Sequence, residues 1–216
     1  MTHTTNEPGS RLVDLTLAEF NDALASGEAA PGGGSAAALA GALGAALAAM
    51  VGRLTLGRAQ YAEHQDAMTD IVARADALRS ELLAQIDADT VAYTQVMEAY
   101  RLPKADAEEK AARTAAIQAA LCHAADIPLA TARACVSVLE LAVTACRHGN
   151  RNASSDGVVA ALIAQASLEG AARNVRINLT SIKDATYCAE MGRKVDALSA
   201  RGQRLLAEAL AAADAA

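Results

Sequence analysis

Three groups of residues have types and spacings that could do chemistry. The first is Pro31-Gly-Gly-Gly-Ser35, a loop that runs into an uncharged Ala/Gly stretch. Gly32, Gly33 and Gly34 lack Cβ atoms, so a ligand can lie against their backbone. At a helix N-terminus, free N–H groups and the dipole favour an anion or an electron-rich carbonyl. The alternative is that the glycines make only a tight turn, but three in a row after proline exceed what a turn needs. No Lys-Ser/Thr follows, so the loop is not a Walker motif, and it does not fit GxGxxG after a strand.

The second group is Ile86-Asp-Ala-Asp-Thr90. Residues two apart do not share a helix face. With Asp87 turned to solvent, Asp89 lies toward the apolar side near Ile86, Thr90 and Tyr93. A carboxylate placed there has a raised pKa that suits acid–base work; turned outward, it is an ordinary solvated aspartate. The third group is Asp156 with Asn174 and Asn178, which are four apart and therefore on one face. Buried amides need partners, either on a neighbouring helix or on a heterocycle rich in N–H and C=O groups. Lys104, just after the Leu102-Pro103 break, sits where a loop can aim it at an anion.

These residues need a frame, and composition points to helices. The chain has 216 residues, 53% of them hydrophobic, with one Phe, four Tyr, no Trp and four Pro. Alanine supplies most of the apolar count and is the best helix former. Thr16-Leu-Ala-Glu19 fits a capping box opening a short helix that ends near Ser26-Gly27. Ser35 is the expected N-cap of the next helix. That helix carries Ala37, Gly41, Ala45, Ala48 and Gly52 at three- and four-residue steps, a groove for a close neighbour. Helical patterning continues from Ala62 to Met97, from Ala107 to Ala125 and from Thr131 to Arg147, with Pro128 kinking or restarting it. His148-Gly149-Asn150 closes that run, and further helices span Gly157 to Thr180 and Asp184 to Ala212.

The expected fold is all-α: one single-domain bundle of long antiparallel helices with small-residue packing seams, over residues 11–216, behind a disordered tail at 1–10. A homodimer is the default assembly.

Other functions find little support. Net charge is −6, from 19 basic and 25 acidic residues, with no basic stripe carrying aromatics for nucleic acid. Cys122, Cys135, Cys146 and Cys188 form no CxxC, and the histidines no HxxxH, so no metal site is expected. Reduced thiols and the absence of a signal-peptide pattern point to a cytoplasmic protein. The uncharged run from Ser35 to Gly52 is read as a core helix rather than a membrane span, because Ala and Gly dominate it.

Taken as an ordered string, the motifs resemble one family. Pro31-Gly-Gly-Gly-Ser35, Thr55-Leu-Gly-Arg58 with Tyr61, Asp87-Ala-Asp89, Leu102-Pro-Lys104, Glu108-Glu-Lys110, Pro128-Leu129, Gly149-Asn150, Ser155-Asp156 and Asn174-Val-Arg-Ile-Asn-Leu179 carry it. The chain is similar to the cyclodeaminase/cyclohydrolase family from about Leu12 to Ile182. That resemblance implies a dimer-forming helical domain acting on tetrahydrofolate derivatives, with Asp89 at the family's catalytic aspartate. It implies that Gly32, Gly33, Gly34 and Ser35 face the pterin, that Asp156, Asn174 and Asn178 read its polar edge, and that Arg58 or Lys104 meets glutamate carboxylates. The implied reaction is the methenyltetrahydrofolate cyclohydrolase one, without metal or redox cofactor. The alternatives are formiminotetrahydrofolate cyclodeaminase activity and a non-catalytic folate-binding or helical association protein.

Overall fold

The computed structural model describes residues 11–215, so the expected tail at 1–10 lies outside the described residues. Six α-helices follow one another: α1 (Leu17–Leu24), α2 (Gly33–Thr55), α3 (Gln65–Arg101), α4 (Ala107–His148), α5 (Ser154–Leu179) and α6 (Ala185–Asp214). Among the described residues there is no strand.

Local chemistry sets most boundaries. Thr16 and Glu19 form the expected capping box at α1. Asp106 caps α4 through the Glu109 N–H, and Asp184 caps α6 through Thr186 and Tyr187. Three boundaries depart from the sequence reading. α2 is capped by Gly32, which places Ser35 inside the first turn rather than at the cap. A short 3-10 turn over Ala59–His64 delays α3 to Gln65. Pro128 does not divide its helix: α4 runs unbroken from Ala107 to His148.

α2 is the central helix of one layer, packed between α3 and α5, with α4 behind them and α6 against α4 and α5. Gly34 meets Asp89 and Gly52 meets Val72, so α2 and α3 are antiparallel; Gly33 meets Asn174 and Gly44 meets Ala160, so α2 and α5 are too. The seam residues Ala37, Gly41, Ala45, Ala48 and Gly52 are all buried. At Gly41 a Cβ would stand 3.0 Å from both Cys135 Sγ and Ser167 Oγ, and 3.2 Å from Leu82 Cδ2. Three helices therefore close on α2 at one glycine. The spacing is tight because dispersion between close backbones takes the place of missing aromatic area.

α2 and α4 are long and apolar enough to cross a membrane, but the relevant stretches are 61% and 72% buried inside the bundle. They serve as its core. All four cysteines are free thiols, and burial pushes the Cys135 thiol up to about 11.

Candidate active site

The first turn of α2 abuts the middle of α3. Asp89 Oδ2 accepts the Ser35 backbone N–H at 2.9 Å and lies 3.1 Å from the Ser35 hydroxyl. That hydroxyl also lies 3.0 Å from the Ile86 carbonyl, so its single proton serves one acceptor or the other. Ser35 is fully buried. Its position three residues into the helix aims both donors across the seam, which a capping serine could not do.

Gly34 is glycine for a steric reason. A Cβ there would collide with the Asp89 carboxylate, whereas at Gly33 it would meet only Asn174 Nδ2 at 3.5 Å, and at Gly32 only the Ala29 carbonyl at 3.7 Å. Burial pushes the Asp89 carboxyl above the ordinary aspartate range, against the two Ser35 hydrogen bonds that pull it down. Desolvation outweighs those bonds. Among the described residues Asp89 Oδ1 takes no hydrogen bond. The site thus pairs a dehydrated carboxyl that has a free oxygen with the open N–H groups at a helix start.

Asp87 turns the other way, as the spacing requires, but it is not simply solvated. It accepts the Leu12 N–H at 2.6 Å and pairs with Arg11 at 3.2 Å, tying down the start of the described chain.

Of the residues singled out in the sequence, Gly32, Gly33, Gly34, Ser35, Asp89 and Asn174 come together. Asn174 donates to the Gly170 carbonyl at 2.9 Å and presents its amide to Gly33. Asn178 does not join them: its amide donates to the Ala124 carbonyl on α4 at 2.7 Å. Ala124 is four residues before Pro128, whose missing N–H leaves that carbonyl without its helical donor. Asn178 replaces the lost bond.

Lys104 lies beyond the far end of α3, on the same side of the molecule as Asp89. Arg58 and Asp156 do not. Arg58 follows the last turn of α2, roughly 30 Å from Ser35, and Asp156 is in the first turn of α5, roughly 27 Å from Asn174, at 1.5 Å rise per residue.

That opposite end has its own polar frame. Thr55 Oγ1 accepts the Asn150 N–H at 2.8 Å, Asn150 Nδ2 donates to the Leu54 carbonyl at 3.2 Å, and Tyr61 Oη accepts the Arg151 N–H at 3.0 Å. Thr55 and Asn150 are buried. From the sequence Asn150 stands in a helix stop and in the motif string of the resemblance, with no sign that it bridges to Thr55. A cavity of about 820 Å³ opens at this end too, lined by Tyr61, His64, Arg147, His148, Arg151 and Glu208 among others. Among the described residues no three His, Cys, Asp or Glu side chains converge as metal ligands would.

Comparison with known proteins shows the family and the fold. Residues 16–197 match the family model described as formiminotransferase-cyclodeaminase. A methenyltetrahydrofolate cyclohydrolase of Methylorubrum extorquens is 43% identical over 190 residues, covering 88% of this chain and 91% of that protein. The formimidoyltransferase-cyclodeaminase of Gallus gallus is 36% identical over 187 residues, 87% of this chain but only 35% of that protein. A solved formiminotetrahydrofolate cyclodeaminase from Thermotoga maritima superposes with a TM-score of 0.84 at 28% identity, over 93% of this chain and 96% of that one. By family model, relatives and fold together, the chain belongs to the formiminotransferase-cyclodeaminase family.

Proposed function

We propose that this protein is a methenyltetrahydrofolate cyclohydrolase, interconverting 5,10-methenyl- and 10-formyltetrahydrofolate. The observation that carries the reading is Asp89: a single dehydrated carboxyl, held by Ser35 and seated against Gly34 in the first turn of α2. The cyclohydrolase relative, matched along nearly its whole length, supports the same choice.

The chemistry follows from the substrate. Its bridging carbon lies between two nitrogens in an amidinium cation. Asp89, ionised, takes a proton from water as the oxygen attacks that carbon. The carboxylic acid so formed gives its proton to N5, the C–N5 bond breaks, the hydroxyl of the adduct loses its proton to solvent as C=O forms, and the formyl group stays on N10. Asn174 and the first-turn N–H groups orient the ring, and Lys104, on the loop after α3, is the cation assigned to a glutamate carboxylate. No oxidation state changes, so the reaction asks for no redox cofactor. In this reading the enzyme works in the cytoplasm as a homodimer.

The Thermotoga likeness favours one second reading, cyclodeaminase chemistry. There N10 attacks the formimino carbon, and the same carboxyl protonates the departing ammonia.

Loss of the methenyl absorbance, measured with purified protein against the spontaneous rate, tests the proposal. Asp89→Asn is expected to lower turnover about a hundredfold or more while keeping the fold. Because the base must be ionised, the wild-type rate should fall as pH drops through the Asp89 pKa. Burial puts that limb above the ordinary aspartate value of about 3.9. Ammonia release from formiminotetrahydrofolate without hydration of the methenyl form would replace cyclohydrolase by cyclodeaminase. An undiminished rate in Asp89→Asn would remove Asp89 from the mechanism.

A further inference from the structure

The face of α3 that packs on α2 does not stop where α2 does. Ile71, Ala75, Leu82 and Ile86 follow one another along it at four- and seven-residue steps, all buried, and Asp89 comes next. Asp89 already meets Gly34, in the first turn of α2, so beyond that point α3 has no α2 beside it. It still runs on to Arg101, roughly 18 Å further at 1.5 Å per residue.

Carried past Asp89, the same stripe reads Tyr93, Met97 and Tyr100. These side chains are 40%, 36% and 45% exposed. Fraying does not explain it, because Ala99, on the neighbouring face of the same turn, is buried in a cluster with Ile117 and Leu121 of α4. Packing does not call for the rings either. The whole chain has only four Tyr and one Phe, and two of those Tyr stand uncovered in line with the dehydrated carboxyl.

A cation closes the stripe. Arg113, in the second turn of α4, donates to the Tyr100 carbonyl through Nε at 3.2 Å and Nη2 at 2.9 Å, and stands 5.8 Å from the centre of the Tyr100 ring. Two acids of the adjoining loop and helix are engaged elsewhere: Glu109 accepts the Ala105 N–H, and Asp106 accepts the Glu109 N–H. Arg113 makes no ion pair among the described residues, so the guanidinium edge turned from Tyr100 is free to take a carboxylate.

From Asp89 to Tyr100, roughly 16 Å along the axis, the chemistry thus passes from carboxyl to aromatic face to cation. Methenyltetrahydrofolate has the same order: reacting carbon, p-aminobenzoyl ring, glutamate carboxylates. Its ring is bonded to N10, and N10 to the reacting carbon, so the ring must lie within about a helical turn of Asp89. Tyr93 is one turn along, about 6 Å. Resting on the folate reading above, we infer that the p-aminobenzoylglutamate half of the substrate lies along the uncovered end of α3, its ring on Tyr93 and Met97 and a glutamate carboxylate on Arg113. These residues hold the substrate without touching the reacting atoms, and Tyr100 orients Arg113.

Steady-state kinetics with two substrates tests this: methenyltetrahydrofolate, and methenyltetrahydropteroate, which keeps the ring but lacks the glutamate. Tyr93→Ala should raise KM for both about fivefold with kcat nearly unchanged, the loss expected for one aromatic pair. Tyr93→Phe should keep the wild-type KM, because a phenyl face stacks as a phenol does. Arg113→Ala should raise KM about tenfold for the folate, as for a lost bond to a charged group, and leave the pteroate unaffected. Wild-type protein should prefer the folate by the same factor. Should Arg113→Ala not fold, Arg113→Gln takes its place. An unchanged KM in Tyr93→Ala would overturn the proposal. So would a wild-type enzyme indifferent to the glutamate, or an Arg113 variant that weakens both substrates equally. Those results leave the cyclohydrolase reading standing, whereas wild-type protein inert toward every folate tried removes both.

Discussion

Gly33 and Gly34 are neighbours in the first turn of α2, but the structure asks different things of them. At Gly33 a methyl group would find ordinary van der Waals distance to Asn174, 3.5 Å, while at Gly34 it would occupy the space of the Asp89 carboxylate. Gly33→Ala should therefore stabilise slightly, by about 0.5 kcal/mol through the unfolded chain, and keep activity of the same order. Gly34→Ala gains the same backbone term but pushes the carboxylate aside. A displacement of about 1 Å costs on the order of a hundredfold in rate, so kcat/KM should collapse while the melting temperature barely falls. Equal effects of the two substitutions on kcat/KM would refute this account of the turn. The sequence exposed the glycines and Asp89 as separate suspects, since both residue types are unusual on an alanine helix. It could not say that they touch, because α2 and α3 might have paired in any register. Ser35 shows the limit most clearly: its type fits a cap, and only the position of Gly32 turned its hydroxyl and N–H toward the carboxylate instead.

At the scale of elements, α4 poses the question of how a 42-residue helix survives an internal proline. Pro128 has no N–H for the Ala124 carbonyl, and an unpaired buried carbonyl costs about 1–3 kcal/mol. Asn178, reaching over from α5, supplies the missing donor at 2.7 Å. Asn178→Ala should then destabilise by about 1–3 kcal/mol in the native background. In a Pro128→Ala background, where the helix satisfies its own carbonyl, the same change should cost distinctly less, with a coupling of about 1 kcal/mol. Denaturant unfolding of the four proteins measures it, and a coupling near zero would mean that Asn178 does something other than cover Ala124. Helix content, the capping box of α1 and the small-residue seam were legible from propensity and spacing. The continuity of α4 was not, because the compensation comes from a side chain 54 residues away. The two amides of the Asn174–Asn178 pair show the same blindness. They share a face by spacing, but one turns toward the glycine loop and the other mends a neighbouring helix.

For the molecule as a whole, the bundle separates the residues of interest into two ends, and helix length alone enforces the separation. Ser35 and Thr55 bound a single uninterrupted helix, so Arg58 cannot approach Asp89 within one subunit. That much could be computed from the sequence at 1.5 Å per residue. What could not be computed is the outward face of α2 and α5, since a seam and an outer stripe have the same period and differ only in what covers them. Leu162, 46% exposed on α5, is the position to probe. In a lone subunit Leu162→Glu changes a solvated side chain and should move stability by no more than about 0.5 kcal/mol. In a dimer paired through this face it buries a carboxylate in the contact. Sedimentation should then show dimers giving way to monomers while helical circular dichroism is unchanged. The wild-type melting temperature should rise with protein concentration, as it must when association is linked to folding, and that dependence should vanish in the variant. A Leu162→Glu protein that stays dimeric would place the subunit contact elsewhere than on this face.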